Sequence, residues 1–411
     1  MSSYSVFSHI PVADPNTGAK LFSDFNRDSH RDKVFLAGKE YVGEGGRSAL
    51  LPLIRKIKQQ MNSDPTLNPE YLPSLGLPHF TRRASELALG KDSRAILENR
   101  VIGVQVVGGS GAVRLGAELL KCRYGDGSSW RGPVLLPSPF DESLSWIFKA
   151  AGVGDVQCYH YWDGEQRGVC VGKMMEDLEK APEQSVVVLS VVGHWPTGSD
   201  LSQGEWKHVV EVLGTRRLLP FFLLRAQGLC SGEPEEDAWP LRYAVAQGLE
   251  LLCAQSFSHN FGLYGERVGH LLCVLKENDN LLAVQSQAEK LVQALWAHPP
   301  LEGARVVTTV LSNPAHLVEW LDGLKGIAER CMVMRERLRE KLRLLGGTWE
   351  HLVKSRGLYC CIGLTVQQVA FLARKRHVYL LPEGCLNVSA INSRNLDYVA
   401  ESIHLALTSH I

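Results

Sequence analysis

The stretch Ser256–Gly269, SFSHNFGLYGERVG, gathers two serines, a histidine and an arginine into one short segment. The apolar run Leu249–Ala254 precedes it, and a second apolar run, Gly269–Leu275, follows it. Short apolar runs around a polar segment are typical of buried strands joined by a loop. Hydroxyl and guanidinium groups in such a loop can bind a phosphate. The loop is therefore either an anion site or a connection that is merely polar.

A second candidate anchor is the glycine-rich turn VVGGSGAV at residues 106–113. It separates a predicted strand, Val101–Val107, from a predicted helix, Ala112–Tyr124. Glycines let backbone N–H groups approach an anion, and a helix start adds free donors. The turn matches neither a P-loop nor a dinucleotide-binding pattern, and packing alone can also favour glycines here. Two such anchors together favour a phosphate pocket, because ligands prefer the carboxyl ends of parallel strands.

Strand-like and helical segments alternate through the middle of the chain. Further strands are predicted at Pro133–Ser138, Ser185–Val192 and Leu218–Leu224, and a helix at Glu142–Ala150. This alternation predicts an α/β fold whose mostly parallel sheet carries helices on both faces. A long charged helix is predicted over His316–Leu345, ended by two glycines.

Composition excludes several classes of protein. The 411 residues are 45% hydrophobic and 21% charged, with 44 basic and 44 acidic side chains. A zero net charge argues against nucleic-acid or membrane binding. No signal peptide and no apolar run of ~20 residues is visible, so the cytosol is expected. The ten cysteines form no CxxC pair, so we expect reduced thiols and no metal site.

The motifs resemble those of one family. SFSHNFGLYGERVG resembles the cofactor-lysine motif of aspartate aminotransferases, SFSKNFGLYNERVG. The segments HWPTGSD, KRHVYLLPEG and RNLDYVAESIH also stand where that family has close counterparts. The chain is identified as a member of this class I, fold-type-I, pyridoxal phosphate (PLP)-dependent family, similar to a divergent cytosolic paralogue.

The resemblance implies an architecture and an activity. It implies a large domain at residues 48–325, with a mostly parallel seven-stranded sheet sandwiched by helices. A small α+β domain would combine residues 1–47 and 326–411, and the protein would form a homodimer. The family reaction converts L-aspartate and 2-oxoglutarate to oxaloacetate and L-glutamate, with PLP as the cofactor.

The family's phosphate contacts match this sequence well. The matching positions, in chain order, are Tyr71, Gly109, Ser110, Ser256, Ser258 and Arg267. Tyr71 stands for the tyrosine that reaches the phosphate of the neighbouring subunit, and Ser110 keeps the hydroxyl of a family threonine. The resemblance thus implies a retained phosphate cup, for PLP or for another small anion.

The family's groups around the cofactor ring are replaced. His259 stands at the position of the lysine that attaches PLP covalently, and an imidazole has no primary amine for that bond. Leu223 replaces the aspartate that pairs with the ring nitrogen. Ala226 and Trp195 replace the tyrosine and asparagine that bind the phenolic oxygen.

The substrate contacts are also changed. Cys385 and Gln293 replace the two arginines that bind the substrate carboxylates, and Asp141, beside Phe140, replaces the tryptophan that stacks on the ring. Lys39 stands where the family has a glycine in a flexible lid.

These replacements favour a catalytically inactive pseudoenzyme that works as a binding or scaffold protein. Two alternatives remain open at the level of sequence. His259 could be a general base in different chemistry, or an inert side chain that fills the vacated lysine channel. Residual or altered PLP-dependent transamination could also persist.

Overall fold

The computed structural model describes residues 5–49, 51–124, 130 and 132–409. The helices are α1 Thr17–Arg27, α2 Pro52–Asn62, α3 Pro78–Leu89, α4 Arg94–Leu97, α5 Gly108–Arg123, α6 Glu142–Ala150, α7 Val171–Lys180, α8 Gln203–Thr215, α9 Pro234–Asp237, α10 Trp239–Ala246, α11 Ser258–Phe261, α12 Leu281–Leu295, α13 Glu302–Ser312, α14 Pro314–Leu345, α15 Glu350–Lys354, α16 Val366–Arg376 and α17 Leu396–Thr408. The strands are β1 Val34–Phe35, β2 Val101–Val107, β3 Val134–Ser138, β4 Val156–His160, β5 Trp162–Asp163, β6 Gly168–Val169, β7 Val186–Ser190, β8 Leu219–Leu224, β9 Leu251–Ser256, β10 Val268–Val274, β11 Tyr359–Cys361, β12 Val378–Tyr379 and β13 Cys385–Asn387. Two short 3-10 turns, Pro382–Gly384 and Val388–Ala390, complete the assignment.

A seven-stranded sheet of order β2-β10-β9-β8-β7-β3-β4 forms the centre of the fold. β10 runs antiparallel to β2 and β9, whereas the other neighbouring pairs are parallel. Every residue of β10 is buried, as expected for a strand covered on both faces. The prediction of a mostly parallel seven-stranded sheet is confirmed.

Both faces of the sheet are covered by helices. One face packs against α5, α6 and α12, with Phe148 and Phe221 meeting edge to face in the buried cluster. The opposite face packs against α7, α8 and α10, where Trp206 contacts Phe222. Leu223 and Leu224 therefore point into different clusters, as the alternation of side chains along a strand requires.

Segments near the two ends of the chain pack together. β1 pairs in parallel with β12, which joins Val34 to Val378 in register. The Arg330 side chain on α14 donates to the carbonyls of Val42 and Ser389. The sequence alone placed the start of this helix at His316, whereas α14 begins at Pro314 behind an Asn313 cap. Proline is favoured in the first turn because its missing N–H has no helical partner there.

The glycine-rich turn differs from its prediction. α5 begins at Gly108, four residues before the predicted start at Ala112. Gly108 has φ +67°, and Gly109 and Ser110 already belong to the first turn of the helix. The first backbone N–H groups of a helix have no carbonyl partner within it, so this turn presents free donors. Across the part of the chain that the structure describes, no helix is both long and apolar enough to span a membrane.

Candidate functional site

The candidate site lies at one edge of the central sheet. Parallel strands all end at the same edge, so residues that follow different strands meet there. Ser110 follows β2, Asp141 follows β3, Trp195 follows β7, Arg225 follows β8 and His259 follows β9. Arg267 directly precedes β10, whose antiparallel direction brings its start to the same edge.

At one end of this site, the residues predicted to bind phosphate lie together. An Arg267 Nη atom donates to Ser110 Oγ at 3.3 Å, and the Ser258 N–H donates to Ser256 Oγ at 3.3 Å. A Cβ atom added at Gly109 would lie 3.2 Å from the Ser256 Cβ, and one at Gly108 would overlap the Arg267 guanidinium. We call Gly109, Ser110, Ser256, Ser258 and Arg267 the phosphate cup.

The cup has the chemistry of an anion site. It combines hydroxyl groups, the N-terminus of a 16-residue helix and an arginine whose side chain reaches solvent. Free N–H groups and the helix dipole favour a negative charge at this place, and the guanidinium adds charge-assisted hydrogen bonds. Ser256 and Ser258 are each 6% exposed, so their hydroxyls are held by packing.

At the other end of the site, His259 is fixed by the main chain. Its Nε2 lies 2.9 Å from the carbonyl oxygen of Lys39. A carbonyl can only accept, so Nε2 carries the proton and the lone pair of the neutral ring is on Nδ1, which is enclosed by protein. Burial lowers the pKa of His259 to about 4, against the opposing effect of the Lys39 carbonyl. The imidazole is therefore neutral at pH 7.

Lys39, Asp141 and Arg225 form a charged group beside His259. Lys39 Nζ lies 2.7 Å from Asp141 Oδ2, and an Arg225 Nη atom lies 3.8 Å from the same oxygen. Burial acts to raise the pKa of Asp141, but the charges of Arg225 and Lys39 outweigh it and lower the pKa to about 2. Asp141 also caps α6, because its Oδ1 accepts from the Ser143 N–H at 3.1 Å. We call these three residues the charged triad.

Apolar and aromatic side chains complete this end. The Lys39 ammonium lies 4.8 Å from the centre of the Trp195 ring, and Trp195 meets Tyr359 edge to face at 6.4 Å. Leu223 is 3% exposed and Cys385 is fully buried, while Ala226 packs against the buried cluster behind the site. None of these three side chains carries a charge at neutral pH. We call His259, the charged triad, Trp195, Leu223, Ala226 and Cys385 the ring end.

The segment of residues 36–40 closes over the ring end. The Tyr359 hydroxyl donates to the Lys39 carbonyl at 2.9 Å. The Asn387 side-chain amide donates to the carbonyls of Gly38 and Glu40 at 3.0 and 2.7 Å. These contacts fix the backbone of Lys39, and the ion pair with Asp141 fixes the end of its side chain.

Two of the predicted site residues do not join this cluster within one chain. Tyr71 is 87% exposed and stacks on His298, with 4.8 Å between ring centres. Gln293 is an exposed residue of α12. The resemblance implies that the residues at both positions act on the site of a neighbouring subunit, and for Tyr71 and Gln293 this stays a prediction.

The sequence analysis missed three residues of the site: Arg225, Tyr359 and Asn387. Arg225 could have been noticed, because a cation directly after the buried strand β8 must lie at the ligand edge of the sheet. Tyr359 and Asn387 are on short strands far along the chain, and no local pattern marks them as contacts of residues 36–40.

The comparisons with known proteins agree with this geometry. Residues 31–403 match the family model described as aminotransferase class I and II. The chain is 44% identical to the cytoplasmic aspartate aminotransferase of Gallus gallus, covering 98% of both chains. It is 38% identical to that of Caenorhabditis elegans over 97% of both.

A solved structure shows the same fold. The aromatic-amino-acid aminotransferase of Burkholderia pseudomallei, covalently bound to pyridoxal phosphate, superposes with a TM-score of 0.94. The two chains are 32% identical, and the match covers 98% of this chain and 100% of the other. Its fold is that of the PLP-dependent transferases, and aspartate aminotransferases are among its relatives. This protein therefore belongs to the class I and II aminotransferase family.

Proposed function

We propose that this protein is a catalytically inactive member of the aspartate aminotransferase family that binds a phosphate-bearing ligand without a covalent bond. The observation that carries the proposal is His259. The family's lysine position holds a neutral imidazole whose Nε2 donates to the Lys39 carbonyl. An imidazole has no primary amine and therefore cannot form the cofactor bond.

The residues of the site fit the phosphate group of PLP but not its ring. When bound, PLP supplies an electron sink for reactions at the amino-acid α-carbon. Ser110, Ser256, Ser258, Arg267 and the start of α5 would hold its phosphate. The ring has no such partners here, since Leu223 cannot pair with its nitrogen and Ala226 cannot bind its phenolic oxygen. The proposed ligand is therefore held by its phosphate.

The proposal includes the assembly and the location. Tyr71 is a large side chain left 87% exposed on one chain, which suits a position at the neighbour's phosphate cup in a homodimer. We also propose that the chain forms a large domain of residues 48–325 and a small domain that combines residues 1–47 and 326–411. We place the protein in the cytosol, in keeping with relatives that are named cytoplasmic.

A role for His259 as a general base has less support. The proton on Nε2 is committed to the Lys39 carbonyl, and the Nδ1 lone pair is enclosed by protein. A base is most effective when its pKa lies near the working pH, whereas the pKa of His259 is about 4. We therefore favour an imidazole that fills the lysine channel.

The test is a transamination assay on the purified full-length protein. L-Aspartate and 2-oxoglutarate are incubated with protein and added PLP, and oxaloacetate is measured against the same mixture without protein. We expect the two rates to be equal. A rate above the protein-free mixture that is lost in Arg267→Ala would overturn the proposal and establish residual PLP-dependent transamination.

A further inference from the structure

Two cysteines face each other in the small ribbon formed by β11 and β13. The antiparallel register places Cys361 opposite Cys385. The next pair along the ladder is hydrogen-bonded, because the Ile362 N–H donates to the Gly384 carbonyl at 3.1 Å. Hydrogen-bonded and non-hydrogen-bonded pairs alternate in antiparallel strands, so Cys361 and Cys385 form a non-hydrogen-bonded pair.

This kind of pair suits a disulfide. In non-hydrogen-bonded pairs the Cα atoms lie about 4.5 Å apart, which is within the range of about 4.4–6.8 Å that a disulfide requires. The side chains also point to the same face of the ribbon. Cys361 and Cys385 also belong to the same buried cluster, and burial together with a hydrogen bond to Cys361 raises the pKa of the Cys385 thiol.

The other cysteines nearby lack this arrangement. Cys360 is adjacent in sequence, but it lies opposite Leu386 and packs into the cluster on the other face of the ribbon. Cys253 and Cys273 occupy the neighbouring strands β9 and β10, where they lie opposite Leu272 and Leu252 and point into different clusters. These buried thiols provide internal controls.

We propose that Cys361 and Cys385 are an oxidative modification site, at which a peroxide converts the two thiols into one intramolecular disulfide. One thiol first reacts with the peroxide to give a sulfenic acid, releasing water when the oxidant is hydrogen peroxide. The second thiol then attacks that sulfur and releases another water. The peroxide is reduced and the two thiols lose two electrons and two hydrogens in all.

An open cleft of about 660 Å³ reaches the edge of this pair. Its lining includes Gly363, two residues after Cys361, and Glu383, two residues before Cys385. The Cys361 thiol donates to the Glu383 carbonyl at 3.3 Å, so the wall of the cleft touches the pair. The cysteines themselves are only 2% and 0% exposed, so a small oxidant is required and the reaction depends on local opening.

The disulfide would act on the segment above the ring end. Tyr359 of β11 and Asn387 of β13 hold the carbonyls of residues 38–40. A covalent bond between the two strands fixes these two anchors relative to each other. Oxidation would therefore make the 36–40 segment more rigid over the site, whatever ligand the phosphate cup binds.

The test is disulfide mapping on the full-length protein. Reduced protein is treated with hydrogen peroxide, blocked with an alkylating reagent, digested without reductant and examined by mass spectrometry. We expect a linked peptide pair that joins Cys361 to Cys385 and is lost on treatment with dithiothreitol. This pair should be more than tenfold as abundant as any link that involves Cys253 or Cys273.

Variants separate this pairing from general oxidation. Cys360→Ser is the matched control and should keep the link, whereas Cys361→Ser and Cys385→Ser should each abolish it. The wild-type result does not depend on the folding of any variant. The proposal fails if Cys361 and Cys385 remain thiols, are oxidised separately to sulfinic acids, or pair with Cys360.

Discussion

The phosphate cup and the ring end lie at the same sheet edge, yet they have changed to different degrees. The cup keeps hydroxyls and a guanidinium at its matched positions, and Arg267 still contacts Ser110. At the ring end, this chain has His259, Leu223 and Cys385 at the positions where the resemblance expects a lysine, an aspartate and an arginine. Both regions lie at the edge of the same seven-stranded sheet and therefore rest on the same hydrophobic core.

This difference separates binding from catalysis. The cup is built partly from backbone, through the start of α5, and the first turn of a helix leaves N–H groups without a partner in the helix whether or not a ligand binds. The ring end depends on individual side chains, each of which can be replaced without loss of the fold. Burial is retained there by apolar substitutes such as Leu223. Under the proposed function, the chain lacks the chemistry of the ring end and keeps the anion-binding half of the site.

The largest difference at stake, about 10⁶-fold in rate between a catalyst and the protein-free mixture, concerns the attempt to make the ring end like the family again. His259→Lys should leave transamination at the rate of the protein-free mixture. Enzymes typically accelerate their reactions by at least about 10⁶-fold, and one amine cannot supply this while Leu223, Ala226, Trp195 and Cys385 remain. The readout is oxaloacetate formation, with circular dichroism to show that the variant is folded. Robust turnover would mean that the losses around the ring matter less than this comparison assumes.

A smaller effect is expected at the phosphate cup. Arg267→Ala should weaken PLP binding by about tenfold to a hundredfold, since a charge-assisted hydrogen bond contributes about 1.5–3 kcal/mol. Equilibrium titration measures the affinity, and inorganic phosphate should compete. Arg94→Ala is the matched control, because Arg94 is an exposed arginine on α4 with its side chain 89% accessible. Equal affinities for wild type and Arg267→Ala, or no binding to either, would show that the cup is no longer functional.

The smallest effect is a pH dependence of stability at the ring end. Burial lowers the pKa of His259 to about 4 in the folded chain, whereas an unfolded chain has an ordinary value near 6.5. Between these values the unfolded chain binds the extra proton, so stability contributed by the neutral ring is lost as pH falls from 6.5 towards 4. His259→Gln cannot titrate and should lose less stability on acidification, by up to about 2 kcal/mol at pH 5.

Chemical denaturation at pH 7 and pH 5 measures this difference. His208→Gln, at an exposed position of α8, is the control and should follow the wild type. If His259→Gln and the wild type lose the same stability between the two pH values, the ring is not held neutral by the fold.

The sequence predicted the sheet more closely than the site. Val101–Val107 became a strand with the predicted bounds, and the other predicted strands formed with one or both ends shifted by one or two residues, because buried strands leave an apolar signal in the sequence. The predicted start of α5 was wrong: the two glycines suggested a turn, whereas the helix begins at Gly108, whose φ is +67°, and Gly109 already lies in its first turn. Glycine permits both conformations, so the tertiary contact decides.

The cup positions were named from motif matches, whereas the charged triad was not foreseen as a unit. Its members lie 84 and 102 residues apart along the chain (Asp141 to Arg225, and Lys39 to Asp141). Ion pairs over such distances in sequence depend on the folded sheet edge, and no local spacing encodes them. The role of Asp141 as a helix cap is easier to predict from sequence, since an aspartate before a helical run is a common signal for the start of a helix.

The double attachment of Asp141 makes this position difficult to substitute on its own. Its carboxylate caps α6 and also pairs with both Lys39 and Arg225. A reversion to the tryptophan of the resembled family would remove the cap, at a cost of about 0.5–2 kcal/mol, and leave two cations without their common partner. A tryptophan at position 141 would therefore be unfavourable unless both cations were replaced as well. The charged triad couples positions 39, 141 and 225, so a substitution at one of them changes the cost of a substitution at the others.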